Sequence, residues 1–581
     1  MSLWWSMSDK VEIIGKVKLD SSFCSAANEQ SEERLDDLLD IVKNTDPHLY
    51  MNKVIEKGSW PLLYHLSETR ENLINWIPVG KNDRVLEIGA QCGALTGVLC
   101  EKAHTVCSID ASYKSCLVNA YRHKDYENLE IIAGDHKEVI ASNNESYDLI
   151  ILVGGALLSK EMLESVKAHI TETGRIVIAV DNKIGLKYLA GSLPDGTARY
   201  TKSELESLFV ESGFTDYSFY YPYPDMLFTN SVYSDDYLPH KGDLTENARN
   251  FDKCRYVFWD ESEVFDDVID NNSFPAVSNS YLVILGSSGD DRIIYAKESD
   301  NRDPKYQIIT TIHSNSRGLA VKKANRKTAG SDHIKSICRN ENLLDSVMGD
   351  RAAVCKSVQR DDVLETKFVE GVNLESDFNK ACKCGSSELI YKSVDKLYDL
   401  IRCMKTSDVF VQDDKFQTVF GNQSVPENVE SGNVVDVDLV FPNVIQTDDK
   451  DYIIDCEWVF DFLIPLEYVL WRALFYSRAF SEVADQIKEN VYDRYGLSSD
   501  KRDIYLKMEE AFQRYIAGDE VKLSDYIKAY PPAIKHIDYF VAKEKENEEL
   551  KHTNEELKHT LDDILNSKSW RLLKKLGIVK G

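Results

Sequence analysis

The stretch Arg84-Val85-Leu86-Glu87-Ile88-Gly89-Ala90-Gln91-Cys92-Gly93, continuing through Ala94-Leu95-Thr96 to Val106-Cys107-Ser108-Ile109-Asp110, decides how the first half of this chain is read. It is an apolar strand, a glycine-bearing turn, an amphipathic segment and a second strand ending on an acid. A doubly wound sheet uses that layout to hold a nucleoside: the turn lets backbone approach the ligand, and the second-strand acid takes the ribose hydroxyls. Glu87 ahead of the turn and Asp110 at the next strand end sharpen the signal. The turn lacks the G-x-G-x-x-G spacing, so it is not a dinucleotide fingerprint.

Working outward, strand-sized apolar runs recur with helical spacers at Arg84–Ile88, Thr105–Ile109, Leu129–Ala133, Tyr147–Val153 and Arg175–Val180. Such alternation predicts a mainly parallel sheet covered by helices. Ligands bind outside the carboxyl ends of these strands. Glu87–Gly93, Asp110, Gly134-Asp135-His136 and Gly154-Gly155 all fall at those ends. Asp110 is expected on the ribose and Asp135 on a base amine of a nucleoside ligand, with Gly89 and Gly93 where the backbone approaches it closely. His136 and His65 are the candidate general bases for an alcohol acceptor.

Composition narrows the function classes. A net charge of −28 argues against a nucleic-acid-binding body, which needs clustered cations. The twelve cysteines contain no CxxC pair, so zinc-ribbon and secreted-disulfide readings fail. No apolar run is long enough for a membrane span, and Asp9 and Glu12 behind Met1–Ser6 do not suit an export signal. A cytoplasmic protein is expected.

From Ser280 the pattern changes. Tyr281–Leu285, Ile293–Lys297, Tyr306–Ile312 and Gly318–Lys322 read as short antiparallel strands, followed by a helix from His333 to Leu344. Farther on come Val435-Asp436-Val437-Asp438-Leu439-Val440-Phe441-Pro442-Asn443 and Tyr452-Ile-Ile-Asp455-Cys456-Glu457-Trp458. The chain closes on a verbatim repeat, Asn547–Thr553 and Asn554–Thr560, whose Leu550, Leu557 and Ile564 form a heptad seam with Leu561 and Leu565 beside it. That predicts a short coiled coil and a homo-oligomer. The last residues, Ser567–Lys580, carry five cations and no acid, with Trp570, Leu572, Leu573 and Leu576 as an apolar face. This suits a helix lying on the inner face of the cell membrane, on anionic lipid, or docking to a partner.

Glu87–Asp110 resembles motif I of class I S-adenosylmethionine-dependent methyltransferases, with Gln91 where that family usually has Gly. Ile178–Gly191, Phe219–Asp225, Tyr64–Ser67 and Tyr237–Pro239 resemble methyltransferases encoded with bacterial surface-glycan assembly enzymes. The sequence departs from those relatives after Leu186-Lys187-Tyr188. They carry a longer loop with an Asp-His-Thr-Gly run, where this chain has Gly191–Gly196 followed directly by Tyr200–Glu204.

Asp438, Asn443 and Asp455 have the rhythm of protein kinases and aminoglycoside-type phosphotransferases. The resemblance implies Asp438 on the acceptor hydroxyl and Asn443 and Asp455 on the metal. It also implies Lys322, or Lys323 in the alternative register, on the nucleotide phosphates, with Glu341 as the lysine's ion-pair partner. Val369–Gly371 suits the hinge. Asp436 stands where that family has His, and Ser299–Pro304 stands where it has a glycine-rich loop.

The pairing resembles the bifunctional methyltransferase–kinases that terminate O-antigen chains. It implies S-adenosylmethionine, ATP and Mg2+ as cofactors, a glycan or glycolipid acceptor, and glycan-assembly enzymes as partners. The expected organisation is an acidic lead-in (1–44), an α/β Rossmann-like methyltransferase domain (45–275), an α+β two-lobed kinase-like domain (276–535), an α-helical coiled coil (536–566) and a basic amphipathic tail (567–581). Two alternatives stay open: an inactive kinase-like lobe that binds glycan or scaffolds, and a non-catalytic chain-length regulator.

Overall fold

The computed structural model describes residues 10–24, 34–194, 197–245, 255–287, 289–531 and 534–579. Met1–Ser6, Lys580 and the tip of the 191–196 loop at positions 195–196 lie outside them. Strands β1 (Val11–Ile14) and β2 (Val17–Phe23) form a hairpin. Then come β3 (Arg84–Ile88), β4 (Thr105–Asp110), β5 (Leu129–Gly134), β6 (Tyr147–Val153), β7 (Ile170–Asp181), β8 (Tyr217–Tyr223) and β9 (Ser231–Ser234). Beyond these are β10 (Arg255–Val257), β11 (Ser280–Leu285), β12 (Arg292–Glu298), β13 (Ile308–Asn315), β14 (Gly318–Asn325), β15 (Ala353–Val354), β16 (Ser357–Arg360) and β17 (Val363–Lys367).

One sheet runs through most of them in the order β1-β2-β5-β4-β3-β6-β7-β11-β8-β9-β12-β13-β14-β17-β16. Its centre, β5-β4-β3-β6-β7, is parallel. These strands are near-continuous apolar runs because helices cover both faces: Val85, Leu86 and Ile88 are buried, as are Leu149–Leu152 and Ile176–Val180. The carboxyl ends of β3, β4, β5 and β6 consequently open on one edge, as the sequence predicts.

Three placements differ from the sequence reading. The 1–44 lead-in is not only an acidic helical segment (Leu35–Asn44): β2 pairs in parallel with β5 and extends the sheet. The run Ser280–Leu285, read as the start of the second half, lies between β7 and β8 and is wholly buried. A fully apolar strand suits a sheet interior better than a half-solvated antiparallel edge. The strand predicted to begin at Tyr306 begins at Ile308, because Pro304–Tyr306 forms a 3-10 turn capped by Asp303.

The sheet crosses into the second half through a narrow seam, Ala296 with Val232 and Lys297 with Ser231. There β12-β13-β14-β17-β16 is antiparallel, and the helix Ser331–Met348 packs beside β14 and β16. A mainly helical body follows, with its own core in which Phe378 stacks on Phe441 at 3.9 Å. The chain then returns to the first half. Tyr526 is buried with Leu62 and Leu63, Tyr530 Oη donates to Ile55 O at 2.8 Å, and Ile534–His536 pairs with β10. From this root extends the helix Ile537–Asn566, which buries no residue, and then Lys568–Lys575. Among the described residues no helix is long and apolar enough to cross a membrane.

Candidate functional site

The turn after β3 is shaped by backbone geometry. Gly89 and Gly93 have φ of 76° and 75°, in the left-handed region that favours glycine. A Cβ on Gly89 would meet Leu157 at 2.4 Å, and one on Gly93 would meet Asn119 Oδ1 at 2.0 Å. Gln91, at φ 50°, adopts the same region with a side chain. Its N–H donates to Asp110 Oδ2 at 2.9 Å, while Ser112 N–H donates to Oδ1 at 2.9 Å. Asp110 thus ties the β3 turn to the end of β4. Each oxygen still has lone-pair capacity for a diol hydroxyl.

Glu87 lies beneath the turn, 3 % exposed. Its Oε2 accepts from Thr96 Oγ1 at 2.6 Å and Ser108 Oγ at 3.2 Å. Asn119 Nδ2 donates to the same two hydroxyls at 3.1 and 3.2 Å, and His123 Nδ1 meets Asn119 Oδ1 at 2.8 Å. Burial pushes the Glu87 carboxyl up to about 7, against the opposing pull of the two hydroxyls. Burial holds His123 well below the usual histidine range. Glu87 therefore braces the turn from below and does not face the ligand edge. Sequence reasoning missed Thr96, Ser108, Asn119 and His123. The only cue was polar residues at apolar-face positions of a helix and strand.

At the end of β5, Asp135 Oδ1 accepts from Lys137 N and Glu138 N at 2.9 and 3.3 Å and so caps the helix His136–Ser142. Capping leaves its second oxygen for a ligand amine. A Cβ on Gly134 would meet Phe23 Cβ at 2.3 Å, so the N-terminal hairpin closes this end of the site. His136 lies at this end with buried Nε2 unbonded among the described residues. Burial lowers its affinity for a proton despite nearby Asp110 and Asp135. His65 is buried in the core, where desolvation, Arg70 and Arg122 lower it to about 3, so it is not an accessible base.

Beyond the β7 end, Lys187 Nζ bridges Asp181 Oδ1 and Asp225 Oδ2, each at 3.1 Å, and Tyr188 Oη donates to Asp181 Oδ2 at 2.6 Å. Ser280 Oγ completes the cluster at 2.7 Å from Asp181 Oδ1. The charges are buried but paired, which is the condition for tolerating them inside. This cluster explains the unusual Ile178–Gly191 sequence as a fixed frame for the loop that follows it.

Residues 65–211 match the model of the protein-L-isoaspartate(D-aspartate) O-methyltransferase family. A probable cobalt-precorrin-6B C(15)-methyltransferase (decarboxylating) of Saccharolobus solfataricus is 29% identical over 117 residues, 19% of this chain and 59% of that protein. The first half carries a class I S-adenosylmethionine-dependent methyltransferase domain. The chain spans under two thirds of the length of that curated relative. Solved structures similar to part of this chain include an S-adenosylmethionine-dependent methyltransferase from Archaeoglobus fulgidus, 14% identical, covering 43% of this chain and 99% of that one, with a TM-score of 0.25. Another is a precorrin 8W decarboxylase from Methanobacterium thermoautotrophicum, 15% identical over 38% and 90%, with a TM-score of 0.23.

Outside the methyltransferase domain, a second set of predicted residues converges. Asp455 has φ 60° and forms an ion pair with Lys323. Lys322 points the other way, to Asp291 at 2.7 Å. The alternation of a strand allows only one of two adjacent lysines to face inward, and that lysine is Lys323 in place of Lys322. Among the described residues Lys323 forms its ion pair with Asp455 and not with Glu341, on which it acts only electrostatically. The Glu341 oxygens accept from Ser357 N and Oγ at 2.8 and 2.5 Å, tying the helix to β16.

Asn443 Nδ2 donates to Asp438 O at 2.9 Å, which leaves its carbonyl oxygen for another partner. The Asp438 carboxylate pairs with Arg472, whose Nε also reaches Glu509 at 2.9 Å. Asp436 is fully buried, and its Oδ2 is unbonded among the described residues. Burial, and after it the neighbouring Asp438, push its carboxyl well above the usual carboxylate value. Among the described residues no three His, Cys, Asp or Glu side chains gather as a metal site. A magnesium ion bound with nucleotide needs only one or two protein ligands, and the Asn443 and Asp455 oxygens fit that demand. A Cβ on Gly371 would meet Gln446 O at 2.5 Å, so the segment predicted as a hinge is held against the strand Val444–Gln446.

Proposed function

We propose that the protein O-methylates the terminus of a bacterial surface glycan, and that its second half binds Mg-ATP and phosphorylates the same acceptor. The observation that carries the methyltransferase part is the Asp110 carboxylate locked by Gln91 N–H and Ser112 N–H at the rim of the glycine turn. It presents an acceptor pair for a ribose diol, as a nucleoside cofactor requires. Bound there, S-adenosylmethionine would supply the methyl electrophile, and the acceptor oxygen would form the C–O bond as the S–C bond breaks and S-adenosylhomocysteine leaves. Positioning and desolvation then supply most of the rate. A phosphate oxygen, already anionic, would need no base, whereas a sugar hydroxyl would.

The glycan reading is supported by the Ile178–Gly191 and Phe219–Asp225 resemblances and by the frame that Asp181, Lys187 and Asp225 build beside the cofactor edge. The kinase-like reading is supported by the strand order β12-β13-β14-β17-β16, the Lys323–Asp455 pair and the Asn443–Asp438 hydrogen bond. One observation favours an inactive lobe that binds glycan or scaffolds: Glu341 is engaged by Ser357. The heptad seam and the basic last helix support a coiled-coil oligomer held at the inner face of the cell membrane.

The test is incubation of the full chain with methyl-labelled S-adenosylmethionine or γ-labelled ATP and glycolipid extracts. Methyl and phosphate label on one glycan terminus is expected. Methyl label without phosphate would leave the scaffold reading, and neither label would sink the glycan assignment.

A further inference from the structure

Arg326 sits where the two halves meet, and its side chain is wholly buried. Its guanidinium is shared between them. On the second-half side it donates to Glu298 Oε2 at 2.7 Å and Gln307 Oε1 at 3.2 Å. On the methyltransferase side it donates to Glu68 O at 3.0 Å, Glu71 Oε2 at 3.2 Å and Asn72 Oδ1 at 3.3 Å. Two more contacts run parallel to it: Thr69 Oγ1 donates to Asp300 Oδ2 at 2.6 Å, and Asn75 Nδ2 to Glu298 Oε2 at 3.1 Å. A buried, multiply hydrogen-bonded guanidinium of this kind resists sliding, because any displacement strands several buried polar groups at once.

Both arms of the junction end on ligand loops. Toward the cofactor, Lys102 at the end of the helix Thr96–Lys102 donates to Asn75 O, and Lys327 bridges Glu71 at 3.3 Å and Glu101 at 4.0 Å. The other end of that helix begins at Thr96, bonded to Glu87 under the glycine turn. Toward the second site, the Gln307 amide that accepts from Arg326 donates to Asp300 O at 3.1 Å and Arg302 O at 2.9 Å. Arg302 pairs with Glu457, two residues beyond Asp455. The 299–307 loop stands between β12 and β13, and Lys323 lies three residues before Arg326.

We propose that the two nucleotide sites are energetically coupled through the Arg326 junction. This rests on the reading that the second half binds Mg-nucleotide. Polyphosphate entering beside Lys323 and Asp455 competes with Glu457 for Arg302 and so shifts the 299–307 loop. Gln307, Asp300 and Arg326 transmit that shift to residues 68–75 and to the helix behind the cofactor turn. A ligand biases an equilibrium only through different contacts in the two states, and the Arg302 exchange supplies that difference.

Calorimetry on the full chain tests the coupling. S-adenosylhomocysteine is titrated with and without saturating magnesium adenylyl imidodiphosphate, and the nucleotide with and without S-adenosylhomocysteine. The expected result is a change of about 5- to 150-fold in affinity, the same in both directions as linkage requires. In Thr69→Val and Arg326→Lys, each ligand still binds alone while the factor falls toward one. Thr69→Val carries the comparison if Arg326→Lys does not fold. Nucleotide that binds while S-adenosylhomocysteine affinity stays within about twofold overturns the coupling alone. Absence of nucleotide binding overturns the Mg-nucleotide reading and the coupling with it. An undiminished factor in both variants overturns the Arg326 route.

Discussion

Asn119 fills the space that a side chain on Gly93 would need: a Cβ on the glycine would stand 2.0 Å from Asn119 Oδ1. Asn119 is not idle there, since its amide bonds Thr96 and Ser108, the two hydroxyls that hold Glu87. Gly93→Ala therefore displaces the brace of the cofactor turn and adds about 1–2 kcal/mol of left-handed backbone strain. The variant is expected to lose more than about tenfold in S-adenosylmethionine affinity, since 1.4 kcal/mol is already a factor of ten. It should also melt several degrees lower. Calorimetry and thermal denaturation measure both, and unchanged affinity would contradict the packing described.

Gln91 poses the opposite question, because it adopts a left-handed backbone without being glycine. The interaction it contributes to Asp110 comes from its N–H, which any non-proline residue supplies. Gln91→Gly relieves about 1 kcal/mol of strain but adds freedom to the unfolded chain. Cofactor affinity is expected to stay within about threefold of wild type, under 1 kcal/mol. Asp110→Ala removes the proposed ribose acceptor and the lock on the turn together, and should weaken binding at least about tenfold.

Glu87 links stability to pH. Its carboxyl titrates near 4.5 when exposed and about 7 when buried here. The folded state therefore holds a proton that the unfolded state has released, and stability falls as pH rises from about 4.5 to 7, then levels off. The contribution is of order 3 kcal/mol. Glu87→Gln keeps an acceptor for Thr96 and cannot ionise. Urea titrations at pH 5 and pH 8 should show the variant gaining on wild type at the higher pH. An equal difference at both values would mean that the carboxyl is not held protonated.

Lys323 and Lys322 separate the proposed nucleotide site from surface pairing. Lys323→Met should abolish the thermal shift produced by Mg-ATP and strand Asp455 without its partner. Lys322→Met breaks only the pair with half-exposed Asp291, at a cost of about 1 kcal/mol or less. Its Mg-ATP response should match wild type. Equal loss in both variants would contradict the assignment of the inward lysine.

The terminal helix offers a clean truncation. Because Ile537–Asn566 buries no residue against the rest of the chain, ending the protein after His536 should leave its melting temperature within about a degree. Leu550, Leu557 and Ile564 are 54, 61 and 47 % exposed. Sedimentation should show self-association in the full chain and not in the truncated one. A monomeric full chain at all concentrations would remove the coiled-coil proposal.

Much of the molecule is legible in local pattern. Apolar runs between glycine turns locate β3 to β7 within a residue or two, except for the longer start of β7, because a doubly covered strand must be apolar throughout. Gly89, Gly93 and Asp110 are legible because close backbone approach and a strand-end acid leave residue-type traces. Less legible was the partner of each polar side chain. Thr96, Ser108, Asn119 and His123 are distant in sequence from Glu87, and nothing local marks them as one network. Glu341 reaches Ser357 because β16 pairs beside that helix, a fact of topology.

The amino-acid sequence alone determined a nucleoside-type site at the strand ends, a change of architecture in the second half and a heptad tail, all consequences of short-range periodicity and turn chemistry. Tertiary structure alone decided that Ser280–Leu285 belongs to the first sheet, that Lys323 faces Asp455, and that Arg326 joins the halves. Those outcomes depend on strand register and on pairing buried charges, and both are settled by segments far apart in the sequence, from Leu282 with Tyr220 to Arg326 with Glu68, coming into contact.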